Sequence, residues 1–162
     1  FDAIEFLVQT NPGLPSQALR KIASGGELSR IMLALKGILA QGDRVSVLVF
    51  DEIDANVGGR LGSIIGSKLR HLSRCHQVLC ITHLPQIAAY ADRHLTVRKE
   101  STGKNTTTTV RPIVGDERTE ELAEMIGGQR ITGTTRAQAK ELLDAANETP
   151  RKSARRSKSS QR

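Results

Sequence analysis

An α/β fold is what these 162 residues predict: a mostly parallel sheet, flanking helices and an antiparallel hairpin at the edge. Two observations carry that expectation. The runs VSVLVF (45–50) and QVLCIT (77–82) are apolar on both faces, as strands buried in a parallel sheet are, and a helical pattern separates them. Strand, helix, strand is a βαβ unit, whose crossover is right-handed. Further on, HLTVRKE and TTTTVRPIV flank the polar turn STGKN, the signature of a hairpin.

Each element follows in order. IEFLVQTNPG reads as a strand closed by a turn at Asn11, Pro12 and Gly13, followed by a short linker. Residues 27–40 set Leu28, Ile31, Met32, Leu35, Ile38 and Leu39 on one helical face, and Gly42 and Asp43 end that helix. Residues 59–72 place Leu61, Ile64, Ile65, Leu69 and Leu72 together on a second helix. LPQIAAYA is a short helix, and 117–127 and 134–146 are two more amphipathic ones, separated by GGQRITG. From about Glu148 the chain is rich in Ser, Lys and Arg, with Ala154 its sole apolar residue. Such a stretch buries too little to offset its ordering entropy, so 148–162 is expected to be a disordered basic tail and 1–147 the folded unit.

Charge sharpens that division. Residues 151–162 hold six Lys and Arg and no acid. Removing those six from 24 leaves 18 bases against 17 acids, so the body is near +1 and the high isoelectric point belongs to the tail. Aromatic content of 2% speaks against a single-strand-binding surface of stacked rings. Cys75 and Cys80 form no CxxC pair and read as reduced, packed thiols of a cytosolic protein. No run of about 20 apolar residues is present to span a membrane. The N-terminus has no basic and apolar leader pattern, and the missing initial Met points to a fragment.

Three clusters carry chemistry. Asp51 and Glu52 sit at the carboxyl end of the first buried strand, where open α/β sheets bind ligands. Adjacent carboxylates point different ways, so one can help hold Mg²⁺ beside phosphates while the other polarises a water; two helix-capping acids are the plainer alternative. His83 follows the neighbouring strand at the matching end, where it can bond a terminal phosphate or the attacking water or be an ordinary surface residue. Ser24, Gly25 and Gly26 open a helix whose free N–H groups suit an anion. Ser24 with Glu27 also reads as a capping box, which leaves two costly first-turn glycines unexplained.

Singly these signals are weak, and their order is specific. SGGE before a helix, four apolar residues before DE, then an apolar strand before His resembles the second half of an ABC-type ATPase head. Ser24–Glu27 is similar to its signature motif, Val47–Glu52 to Walker B, Ile53–Gly58 to the D-loop and His83 to the switch histidine. NPGLPSQALRKIASGGELSR, FDEIDANVGG, ITHLPQIAAYADRHLTVRKE and ELAEMIGG narrow the resemblance to the RecN family of bacterial DNA repair proteins, over about residues 5–146. That resemblance implies the C-terminal lobe of an ABC/SMC-type P-loop ATPase head that dimerises around ATP in double-strand-break repair and recombination. It implies ATP and Mg²⁺ as cofactors, with Asp51 assisting the metal, Glu52 as general base and His83 on the γ-phosphate. Ser24, Gly25, Gly26 and Glu27 would meet the γ-phosphate held by a second head. Arg30 would orient the signature helix or be a solvated face residue. Gly58 stands where transporter and SMC D-loops carry Asp, which removes that side chain's contact across the dimer.

No GxxxxGK[ST] string occurs in the 162 residues. That absence leaves the triphosphate cradle to an N-terminal Walker A lobe, and the resemblance implies this lobe, a second copy of the head and DNA ends as partners, at a cytoplasmic, nucleoid-associated location. Two other readings share parts of the pattern. One is a transporter's nucleotide-binding subunit, against which Glu27–Arg30 and Ile53-Asp54 speak. The other is a nucleotide-gated dimerisation or DNA-clamping module, against which the intact Glu52 speaks.

Overall fold

The computed structural model describes residues 4–9, 12–13, 15–21, 24–39, 44–103, 105–128 and 130–148. Of the expected tail 148–162, Glu148 is the last residue of a helix; its remainder, and the expected helix stop at Gly42 and Asp43, lie outside the described residues.

β1 (Leu7–Val8) pairs antiparallel with β2 (Gln17–Ala18), Leu7 opposite Ala18. Pro12 and Gly13 lie in the turn between, Gly13 with φ of +90°, which suits a residue without Cβ. The predicted first strand is thus only two residues long, and its partner falls in the stretch read as linker. Two residues carry no periodicity to read. One turn of 3₁₀ helix, Leu19–Lys21, leads toward α1 (Gly25–Leu39).

The centre is the βαβ unit. β3 (Val47–Phe50) and β4 (Gln77–Cys80) are parallel neighbours, Val47 opposite Gln77 and Phe50 opposite Cys80, joined by α2 (Gly59–Leu72). Leu48 and Phe50 point into a core with Leu33, Ile53, Ile65, Leu69, Leu72 and Ile87. Val47, Val49, Leu79 and Ile81 lie on the other face and are exposed. The expected two-sided burial is therefore met on one face among the described residues. On α2, Gly62 and Gly66 join Ile65, Leu69 and Leu72 on the buried side, while Leu61 and Ile64 are exposed. Gly66 admits α3 (Pro85–Ala88) closely: a Cβ there would lie 2.5 Å from the Tyr90 ring and 3.1 Å from the Gln86 carbonyl.

Helix α1 departs from its expected face. Leu33 is buried at 7% exposure, whereas Leu28, Met32, Ile38 and Leu39 are exposed, Ile38 at 80%. The physical reason lies in its first two turns. Gly26, Ser29, Arg30 and Leu33 recur at i, i+3, i+4 and i+7, so they share one face. Ser29 Oγ donates to the Asp51 carbonyl (2.8 Å), and Arg30 Nη1 donates to those of Ile53 (3.2 Å) and Ala55 (3.1 Å). These polar contacts fix the rotation of α1, leaving Ile31 and Leu35 half-buried and the rest of the apolar stripe exposed.

β5 (His94–Thr102) and β6 (Asn105–Ile113) form the expected antiparallel hairpin, longer than predicted by the residues flanking the turn, but among the described residues it is a sheet of its own and not the edge of the β3–β4 pair. Arg98 pairs with Glu121 and Glu124, and Arg111 with Glu117, tying one hairpin face to α4 (Gly115–Gly127). α4 packs on α5 (Gly133–Glu148) around a second core, Leu122 among the alanines Ala88, Ala89, Ala123, Ala139 and Ala146. Arg118 Nη2 donates to the carbonyls of Ala88, Ala89 and Ala91, which closes the end of α3. The α/β class stands, with one parallel strand pair and two antiparallel ones among the described residues. No helix among the described residues is long and apolar enough to cross a membrane.

Candidate functional site

Parallel pairing in register brings the carboxyl ends of β3 and β4 side by side. Ile81 N–H donates to the Phe50 carbonyl (2.9 Å), so Asp51 and Glu52 leave the sheet beside the strand that leads to His83. The condition for a shared rim, that the two strands be neighbours, is met.

The chain then turns sharply. Asp51 Oδ1 accepts from the Glu52 N–H (2.8 Å), and the Glu52 carbonyl accepts from the Ala55 N–H (3.0 Å). Glu52 has φ of +56° and Asn56 +58°, left-handed positions bracketing the turn. Asn tolerates that region; for Glu it is costly and is held by surrounding contacts. Asp51 and Glu52 are exposed.

The start of α1 seats against this turn. A Cβ on Gly25 would lie 2.5 Å from Glu52 Oε2. One on Gly26 would lie 2.8 Å from the Glu52 carbonyl oxygen and 2.9 Å from Ala55 Cβ. Close approach of the backbone therefore requires the glycine at Gly26, whereas at Gly25 a Cβ would meet only the end of the flexible Glu52 side chain. Capping itself is present: Ser24 Oγ accepts from the Glu27 N–H (3.2 Å). A hydroxyl also carries one proton to donate, so this bond leaves Ser24 a donor for an anion. Glu52, itself an anion, already stands at the positive end of α1.

His83 reaches the rim with its ring largely in solvent, Nδ1 3.0 Å from Asp54 Oδ2. Asp54 is 4% exposed. Its Oδ2 also accepts from Thr82 Oγ1 (2.5 Å) and from the His83 N–H (2.8 Å). Burial pushes the Asp54 carboxyl up, but the Thr82 and His83 hydrogen bonds and the facing imidazole outweigh it and hold it below its ordinary 3.8. Cys80, one strand position back, has its thiol pushed up to about 12 by burial and by the carboxylates of Asp54 and Asp51.

The structure thus joins Gly25, Gly26 and Glu52 at one place and His83 at the same sheet edge through Asp54. Nothing local in the sequence marks the roles of Asp54 and Thr82, because a third acid two residues beyond Glu52 has no spacing signal. Only its burial and its partners distinguish it. Arg30 proves to grip the Ile53 and Ala55 carbonyls rather than to be a solvated residue. Gly58 caps α2 with extended backbone, and a Cβ there would meet nothing within 4 Å. Among the described residues no three His, Cys, Asp or Glu side chains converge into a protein-only metal site. The donor set suits a hard cation held by one carboxylate and by ligand phosphates, as Mg²⁺ commonly is.

No protein-family model matches the chain. It is similar to the DNA repair protein RecN of Halalkalibacterium halodurans, 51% identical over 145 residues, 90% of this chain and 26% of that protein. The RecN of Treponema pallidum is 50% identical over 145 residues (90% and 25%), and that of Bacillus subtilis 47% over 147 residues (91% and 26%). The chain spans about a quarter of the length of the curated relatives it matches. Its fold resembles a solved chain from work on the structural biochemistry of ATP-driven dimerization and DNA stimulated activation of SMC ATPases. The TM-score there is 0.50 at 20% identity, covering 78% of this chain and 83% of that one.

Proposed function

We propose, for a chain that belongs to the RecN family across the segment it matches, that it is the C-terminal lobe of an ATP-hydrolysing head in DNA double-strand-break repair and recombination. Residues 1–147 form that lobe, and 148–162 a basic extension. The observation that supports this best is the convergence at one sheet edge of Asp51, Glu52 and His83 with the glycine-opened end of α1.

Roles follow from that convergence. Glu52 takes a proton from the attacking water. Asp51 would hold Mg²⁺ together with phosphate oxygens, and the ion would supply charge neutralisation there. His83 donates to the γ-phosphate or aligns the water. Ser24, Gly25 and Gly26 offer a hydroxyl and N–H groups to the γ-phosphate of a second head, with Glu27 as the partner in the cap. The site requires a Walker A lobe to hold the triphosphate, so head dimers and DNA ends are the proposed partners, at a cytoplasmic, nucleoid-associated location.

Turnover of ATP by the full-length protein and by its Glu52→Gln variant tests this reading. The variant is expected to lose hydrolysis and accumulate ATP-bound head dimers; unchanged turnover removes Glu52 from the role of base. Robust hydrolysis by the 162 residues alone would overturn the half-site assignment. For the tail, deleting 148–162 and measuring the salt slope of DNA binding decides between phosphate contact and a solvated extension.

A further inference from the structure

We propose that Asp54 is the positioning residue of His83, fixing both its ring tautomer and its backbone; the proposal rests on the reading of His83 as a nucleotide-site group. A carboxylate taken out of water is costly unless it is paired and hydrogen-bonded. Asp54 is such a carboxylate, and its partners all belong to the segment carrying the histidine. Thr82 Oγ1 and the His83 N–H both donate to Oδ2 (2.5 and 2.8 Å), and the Leu84 N–H donates to Thr82 Oγ1 (3.0 Å). The backbone from 82 to 84 is thereby pinned to the turn that follows β3.

The ring is fixed by the same oxygen. Nδ1 lies 3.0 Å from Asp54 Oδ2, an acceptor, so Nδ1 carries a proton. In the neutral ring Nε2 is then the lone-pair nitrogen. With the ring largely exposed, that lone-pair Nε2 is free to accept from a water, and it donates to a phosphate only when the ring carries a proton on both nitrogens. A third group that sets which nitrogen reacts is how acid–base histidines are oriented elsewhere. Asp54 itself is buried beneath and touches no solvent-borne ligand, which makes it a positioning residue and not a catalytic one.

The test uses full-length protein carrying Asp54→Asn, His83→Ala or both, with thermal midpoints confirming folding. Asn keeps the shape and removes the charge. Asp54→Asn is expected to lower kcat by about 10-fold or more, with KM for ATP within about twofold, the usual scale for losing an orienting partner. In the His83→Ala background it should change nothing further. Losses that multiply in the double variant would show Asp54 acting apart from His83 and would overturn the proposal. Ring spectra of ¹⁵N-histidine protein give an independent arm. An Nδ1–H ring in the wild type and a changed tautomer in Asp54→Asn support the proposal. An Nε2–H ring in the wild type overturns it without any variant. Should His83→Ala hydrolyse ATP at the wild-type rate, the nucleotide-site reading falls, and the ring spectra still decide whether Asp54 sets the tautomer.

Discussion

The Glu52 carboxylate lies directly over Gly25: a Cβ at residue 25 would stand 2.5 Å from Glu52 Oε2. An acid at the end of a strand and a glycine at the start of a helix, 27 positions apart, share one space. The space next to Gly26 is different in kind, because it is filled by the Glu52 carbonyl oxygen and Ala55 Cβ.

That difference predicts opposite outcomes for two alanine substitutions. Gly25→Ala meets the end of a flexible side chain, and Ala in a helix is favoured over Gly by about 0.5–1 kcal/mol. Stability is expected to hold or rise while Glu52 is displaced and, on the proposed reading, ATP turnover by the full-length protein falls. Gly26→Ala meets backbone, so α1 must shift from the turn, and a loss of about 1–3 kcal/mol is expected. Thermal midpoints and kcat measured on both variants check this. Equal destabilisation by the two would show that Glu52 cannot move aside.

Asp54 makes stability depend on pH in one direction. Its folded pKa is below the ordinary 3.8, so the folded state binds its proton less readily than the unfolded one. The contribution is full above about pH 4, the unfolded value, and is lost as pH falls through the lower folded value. Urea midpoints of wild type and Asp54→Asn should differ clearly above about pH 4. They should begin to draw together at about pH 4 and converge only as pH falls through the lower folded value.

The two thiols should separate chemically. Cys75 is exposed, whereas the half-buried Cys80 has its thiol raised to about 12 by burial and nearby carboxylates. Thiolate is the reactive form. Iodoacetamide at pH 8 is therefore expected to label Cys75 in the native protein and spare Cys80 until denaturant is added, as peptide mass spectrometry would read directly.

Arg118 is a packing cation with a definite task. Its Nη2 serves three carbonyls at the end of α3, and burial followed by repulsion from Arg70 lowers its pKa. Arg118→Ala strands those carbonyls beneath α4 and should cost about 2–4 kcal/mol. Arg118→Lys should recover only part, since one ammonium cannot reproduce the guanidinium fork. Thermal melts of the two variants give the comparison.

Much of the architecture was legible in the chain. The α2 pattern sets a helix over residues 59–72, and the observed helix has those limits, because strong amphipathic periodicity fixes both ends. The two apolar runs locate β3 and β4, and the DE and His that follow them fall at one edge because parallel strands in register must end together. The hydrogen bond from the Glu27 N–H to Ser24 Oγ was likewise readable from S-x-x-E spacing.

Tertiary structure decided the rest. The apolar stripe of α1 predicts one buried face, yet Ser29 and Arg30 bonding to carbonyls of the 51–55 turn rotate Leu33 inward and leave Ile38 outside. Gly26 needed the turn in place before its small size had a cause. Asp54 had no local mark at all: its partners lie 28 and 29 residues away. Periodicity and capping are local properties, written in neighbouring residues. The contacts that lock a helix's rotation or give a buried carboxylate its partners join segments remote in sequence, and only the folded backbone brings those together.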